Sequence, residues 1–178
     1  MMHAPKLPWL DIMGDRSIGC LVGLACGDAM GTTVEFLPRD TFDPVTEMVG
    51  GGPFNLKPGQ WTDDTSMALC IADSLIENQG FDLLDQMERY IDWVDTGYNS
   101  STGKMFDVGN TVLSALESYR VTGNPFSGDK DPDASGNGSL MRLCPVPVAY
   151  QHDHQLAIRL SVQSSKTTHR SPDCLAAC

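Results

Sequence analysis

What this 178-residue sequence has little of is informative first. Positive charge is scarce: 12 Lys and Arg stand against 23 Asp and Glu, a formal net charge of −11. A chain of that sign repels phosphate backbones and anionic bilayers, so no nucleic-acid or membrane partner is expected. None of the six cysteines forms a C-x-x-C pair, which counts against zinc and dithiol chemistry. Met1 to Pro8 lack a basic end followed by an apolar stretch. No secretory leader is read there, and a cytoplasmic location is expected. Without a leader, a disulfide framework is not expected in a chain this long. The cysteines on apolar helical faces then serve as small hydrophobes. No apolar run is expected to reach bilayer length. Strand signals are sparse, with Val45 to Val49 the one short extended candidate. There is no internal repeat and no P-loop lysine.

What remains is an ordinary globular composition, 41% hydrophobic and 20% charged, in a chain sized for one domain. The periodicity is helical. Ile18, Leu21, Val22, Ala25 and Ala29 define one face of a helix over Asp15 to Met30. A second helix is read over Thr62 to Asn78. Asp82 is placed to cap a third, which carries Leu83, Met87, Tyr90 and Val94. A fourth runs over Gly109 to Arg120 with Gly123 as its stop, and another over Asp153 to Ser165. Ser171-Pro172 reads as a further helix start, Ser as cap and Pro at the first position. Only a few residues follow it, so a larger, truncated domain is expected.

Four segments hold polar groups that a core would not select. Thr62-Asp63-Asp64-Thr65 sets two carboxylates side by side at a helix start. The helix dipole offsets part of their repulsion, and a hard divalent cation would offset more. Thr62 also reads as a plain N-cap. Glu35 follows a helix end, where an acid is disfavoured and asks for a partner; it also reads as a solvated loop residue. Asp107 and Asn110 are three apart and would share a helix face, although Asp107 also reads as an N-cap. Gly136-Asn137-Gly138-Ser139 is a glycine-rich turn feeding a helical start through Arg142, able to offer N–H groups to an anion. Thr167 to Arg170 adds a donor, His169, and a cation. His152 and His154 read as solvated.

In order, Gly19 to Gly31, Glu35-Phe36, Trp61 to Thr65, Asp107 to Asn110, Gly136 to Arg142 and Thr168-His169 resemble the motifs of the ADP-ribosylglycohydrolases. The resemblance implies an all-α, compact multi-helix domain over residues 15–178, after a tail over 1–14. It implies an enzyme that removes ADP-ribose from modified protein side chains, the arginine-type N-glycoside foremost, or from small adducts. It implies two Mg²⁺ or Mn²⁺ ions, with Thr62, Asp63 and Asp64 as ligands. Glu35 and Asp107 take the catalytic places. Asn110, Gly136, Asn137, Gly138, Ser139 and His169 take the substrate-binding ones. The family's second metal motif, a late Asp-x-Asp-Ser/Thr, is not found. Half of the metal cage is therefore expected to be missing, and little or no turnover is expected from these residues alone. The competing readings are a non-catalytic ADP-ribose-binding or structural relative and a metal-dependent phosphohydrolase acting on the diphosphate.

Overall fold

The computed structural model describes residues 12–178. The helices are α1 (Ile12–Gly31), α2 (Asp63–Glu77), α3 (Leu83–Thr96), α4 (Asn110–Thr122), α5 (Pro145–Ala149), α6 (His154–Ser165) and α7 (Pro172–Ala177). Two 3₁₀ turns, Thr32–Val34 and Pro132–Ala134, lie in the connections. Among the described residues there is no strand. The stretch from Val45 to Val49 is irregular, and the only extended pairings described are the single bridges Gly51 to Leu56 and Asp129 to His169. The tail expected over residues 1–14 falls largely outside the described residues; α1 already begins at Ile12.

α2 is the central helix. Thr65, Ser66, Met67, Ala68, Cys70 and Ile71 are all buried, so it is enclosed on most of its circumference. α1, α3 and α5 pack around it. Met87, Tyr90 and Trp93 of α3, Val112, Leu116 and Tyr119 of α4, and Val146 of α5 complete the core. The helix ends follow local chemistry. Asp82 accepts from the Leu84 and Asp85 N–H groups, and Asp153 accepts from that of Leu156. Ser171 accepts from that of Cys174. α3 and α4 stop at left-handed Gly97 and Gly123, a conformation that glycine adopts without strain.

α1 departs from expectation in two ways. Ile18 and Val22, on its apolar face, are 50% and 54% exposed. The segment Gly14–Val34 is also long and apolar enough to cross a bilayer by length and composition. Ile18, Leu21, Val22 and Leu24 supply most of that apolarity, and the Gly, Ala and Cys around them keep the run from being broken by charge. Asp28, inside that segment, is hydrogen-bonded to the start of α2 and ties the C-terminal end of α1 to the rest of the fold.

Candidate active site

α1 delivers Asp28 to the first turn of α2. The Asp28 carboxylate accepts the N–H and hydroxyl of Thr62 (3.0 and 2.9 Å) and those of Thr65 (3.0 and 2.6 Å). Thr62 does occupy the N-cap position, but its own side chain makes no cap bond. Its hydroxyl proton goes to Asp28, and Asp28 caps the helix from 37 residues away at Thr65. A hydroxyl that donates in one direction keeps its lone pairs for another. This arrangement leaves the Thr62 oxygen able to accept or to ligate.

Asp28, Glu35, Thr62 and Asp64 line a cavity of about 280 Å³, with Gly31 and Asn137 on its other walls. The α1 end, the α2 start and the glycine-rich loop therefore meet at one place. Asp63 is buried beside it (8% exposed). Asp107 reaches the same cluster, since its charge acts on Glu35, Asp63 and Asp64. It does so from a loop rather than from a helix. Gly109 is the N-cap of α4, and Asp107 sits before it with φ 56°, so it neither caps α4 nor shares a helix face with Asn110. Asp tolerates that left-handed conformation better than most residues. Three rings bracket the acids. Phe36 meets Phe54 edge-on at 6.4 Å, and Phe54 meets Phe106 at 5.3 Å, joining the residue after Glu35 to the residue before Asp107.

The electrostatics record the crowding. Burial, then the charge of Asp107, push the Asp63 carboxyl up to about 8. Burial and Asp28 push Asp64 up to about 6. Burial and Asp107 push Glu35 up to about 7, and Asp107 itself is raised by burial. Oxygen donors crowded in this way fit a hard divalent cation. Yet among the described residues no group of three or more His, Cys, Asp or Glu side chains is arranged to close around one ion. The donor set fits in chemistry and is incomplete in number.

The glycine-rich segment is a turn, not a helix start: Leu140 and Met141 N–H groups both donate to the Asn137 carbonyl, and α5 begins only at Pro145. The N–H groups of Gly136, Asn137, Gly138 and Ser139 have no protein acceptor among the described residues. Four donors in a row without a protein acceptor are able to take an anion, and this loop is termed the cradle. The Ser139 side chain is turned inward, bonded to Ser165 Oγ at 2.9 Å, so what it offers a ligand is its N–H. Glycine at 138 is a matter of space: a Cβ would stand 2.8 Å from His169 Cε1 and 3.2 Å from Val112 Cγ2. His169 is buried behind the loop, and burial with the charge of Arg142 pushes its imidazole down to about 4. Asn110 is not in the acidic cavity. It lines a neighbouring groove of about 450 Å³ with Thr111, Ser114, Ser127 and Asp129. His152 and His154 are exposed, as expected.

Two positions take their importance from tertiary contacts. Asp28 lies inside a motif, but nothing local signals a carboxylate that caps a helix far along the chain. Arg142 ends the glycine-rich segment, and nothing local signals its complete burial.

The fold and site define an all-helical protein with a carboxylate-walled cavity facing a glycine-rich anion cradle. The chain belongs to the ADP-ribosylglycohydrolase family, whose sequence profile matches residues 10–178. It is 46% identical over 164 residues to the ADP-ribosylarginine hydrolase Tri1 of Serratia proteamaculans (strain 568), covering 92% of this chain and 44% of that protein. It is 36% identical over 169 residues to the ADP-ribosyl-[dinitrogen reductase] glycohydrolase of Rhodospirillum rubrum, covering 92% and 54%. A solved structure described as an ADP-ribosylglycohydrolase-related protein complex superposes with a TM-score of 0.80 at 44% identity, covering 94% of this chain and 53% of that one. The chain thus spans about half the length of the curated relatives it matches.

Proposed function

We propose that this chain carries the catalytic carboxylates and the diphosphate cradle of a divalent-metal-dependent, cytoplasmic hydrolase. Its substrate is an ADP-ribosylated protein or a small ADP-ribose adduct, the arginine N-glycoside foremost. The observation that carries this reading is the meeting of the crowded carboxylates with the cradle at Asn137, which lines the acidic cavity. A substrate with an anionic diphosphate at one end and a bond that breaks through a cationic, oxocarbenium-like state at the other matches that polarity. The Serratia relative, an ADP-ribosylarginine hydrolase, supports the arginine linkage, and the Rhodospirillum relative, an ADP-ribosyl-[dinitrogen reductase] glycohydrolase, supports a modified protein as substrate.

Thr62, Asp63 and Asp64 would hold Mg²⁺ or Mn²⁺, which supplies positive charge and a polarised water. Glu35, protonated up to about pH 7, can donate to the leaving guanidine nitrogen. Asp107 stabilises positive charge developing on the ribose and accepts a proton from water. The Gly136 to Ser139 N–H groups take the diphosphate oxygens, and His169 donates beside them. Asn110 faces the outer rim, toward the ribose or its acceptor.

A second reading is favoured by the incomplete ligand set: on its own this chain binds ADP-ribose without turnover. Product analysis after incubation with ADP-ribosyl-arginine and metal separates the cases. Free ADP-ribose supports glycosidic cleavage, AMP supports diphosphate cleavage, and binding without product supports the second reading.

A further inference from the structure

A hydrogen-bond relay runs behind the glycine loop, away from the carboxylates. It starts at Arg142, which is wholly buried and has no carboxylate partner among the described residues. Its guanidinium lies over the Tyr90 ring, 4.8 Å from the centroid. NH1 donates to the Gly138 carbonyl at 2.8 Å; NH2 donates to Thr167 Oγ1 at 3.0 Å and Thr168 Oγ1 at 2.7 Å. A guanidinium only donates, so Thr168 Oγ1 receives that proton on a lone pair. The same oxygen is 2.8 Å from His169 Nδ1.

Thr168 has one hydroxyl proton to place. Among the described residues its only acceptor within hydrogen-bonding distance is His169 Nδ1. If Nδ1 carried the ring proton instead, the hydroxyl proton would be left without an acceptor in a wholly buried site. A neutral imidazole whose Nδ1 accepts must carry its proton on Nε2. We propose that Arg142 and Thr168 are positioning residues that hold His169 as the Nε2–H tautomer, aiming one neutral donor into the anion cradle.

The geometry at the other end of the ring agrees. Nε2 has no protein partner among the described residues, and it borders the cradle directly. A Cβ added at Gly136 would stand 3.5 Å from Nε2, and one at Gly138 would stand 3.3 Å from it. Arg142 therefore acts twice on one ligand surface: it fixes the Gly138 carbonyl, and through Thr168 it fixes the direction of the His169 proton. With the four free N–H groups, His169 makes a set of neutral donors ready for phosphate oxygens. Naming that ligand as a diphosphate rests on the proposed function; the tautomer does not.

Nitrogen-15 NMR of the ligand-free chain at neutral pH reads the two ring nitrogens of His169 separately, with His169→Gln assigning the signals. The expected spectrum has a pyridine-like Nδ1 and a pyrrole-like, protonated Nε2. Thr168→Ser should preserve it. Thr168→Val should lose it, and Arg142→Met, which frees the Thr168 side chain to turn its hydroxyl away from Nδ1, should let the Nδ1–H form appear. A protonated Nδ1 in the unmodified chain overturns the proposal. An unchanged spectrum in folded Thr168→Val or Arg142→Met overturns the positioning role of that residue. If those variants do not fold, the unmodified chain still decides. A proton correlated from the Thr168 hydroxyl to Nδ1 supports the relay, and one bonded to Nδ1 sinks it. None of these readouts uses ADP-ribose or a metal, so they stand or fall apart from the hydrolase reading.

Discussion

Asp28 and Thr62 are joined twice: the carboxylate accepts the Thr62 hydroxyl at 2.9 Å and its N–H at 3.0 Å. Two further bonds to Thr65 make Asp28 the anchor of the turn that carries Asp63 and Asp64. Replacing it leaves two N–H donors and two hydroxyls unanswered. Asp28→Ala should cost about 2–4 kcal/mol in urea unfolding, given that hydrogen bonds to a charged group are the strong ones. Asp28→Asn should cost nearly as much, because its amide NH₂ opposes the N–H groups of the turn. A loss within 0.5 kcal/mol for both would show that the turn holds itself.

The raised carboxylates set the sign of an alkaline limb. Asp63 at about 8, Glu35 at about 7 and Asp64 at about 6 lie above their ordinary values of 3.8, 4.5 and 3.8. Over that window the unfolded chain holds fewer protons than the folded one, so stability falls as pH rises. His169, down at about 4 from 6.5, works in the opposite direction, but in the unfolded chain it is already half-titrated at pH 6.5 and its effect fades above that. Between pH 6.5 and 8 the carboxylates outweigh it. The metal-free chain should lose Tm across that range. Asp63→Asn should flatten the loss and raise Tm at pH 8, and added Mn²⁺ should restore the unmodified chain most at pH 8. A flat profile would mean the acids are not crowded in solution.

Gly136 and Gly138 should part ways. A Cβ at Gly138 meets His169 Cε1 at 2.8 Å and Val112 Cγ2 at 3.2 Å, whereas one at Gly136 meets only His169 Nε2 at 3.5 Å. Neither residue has a positive φ, so space rather than backbone conformation decides. Gly138→Ala should destabilise by about 1–3 kcal/mol through overpacking. Gly136→Ala should fold normally but weaken ADP-ribose binding, since its methyl group takes the place beside the donor. Thermal unfolding and isothermal titration separate the two effects.

Asp107 can be tested without disturbing the fold. Its φ of 56° is one that Asn accepts, and the change removes one charge from the crowded acids, so Asp107→Asn should leave the chain's Tm unchanged or raised. In this chain extended by the part of the Serratia relative that it does not match, the same change should lower kcat by about 10²–10⁴-fold, the range for loss of a general base. An unchanged kcat would move the role to Glu35.

Much of the helical framework is legible in the sequence because its causes are local. Asp82, Gly123 and Ser171-Pro172 act within a few residues of where they stand. The six segments that resemble the family's motifs likewise lie in plain view. What is not legible is tertiary. Thr62 looks like the cap of α2, yet the capping carboxylate comes from α1. Asp107 looks like the start of α4, yet the helix begins after Gly109 and leaves Asp107 on a loop beside Glu35. Val45 to Val49 has strand-like residues but, among the described residues, no neighbouring strand to pair with. Arg142 carries a charge that composition assigns to the surface, and only the loop it holds explains its burial.

The most direct test of the central claim is the release of free ADP-ribose from ADP-ribosyl-arginine with and without Mg²⁺ or Mn²⁺. It compares this chain with the chain extended by the unmatched part of the Serratia relative. The expected result is metal-dependent release by the extended protein, little or none by this chain alone, and loss of release on Asp63→Ala. Metal-independent release, or no release by an extended protein that still binds ADP-ribose, would contradict the claim.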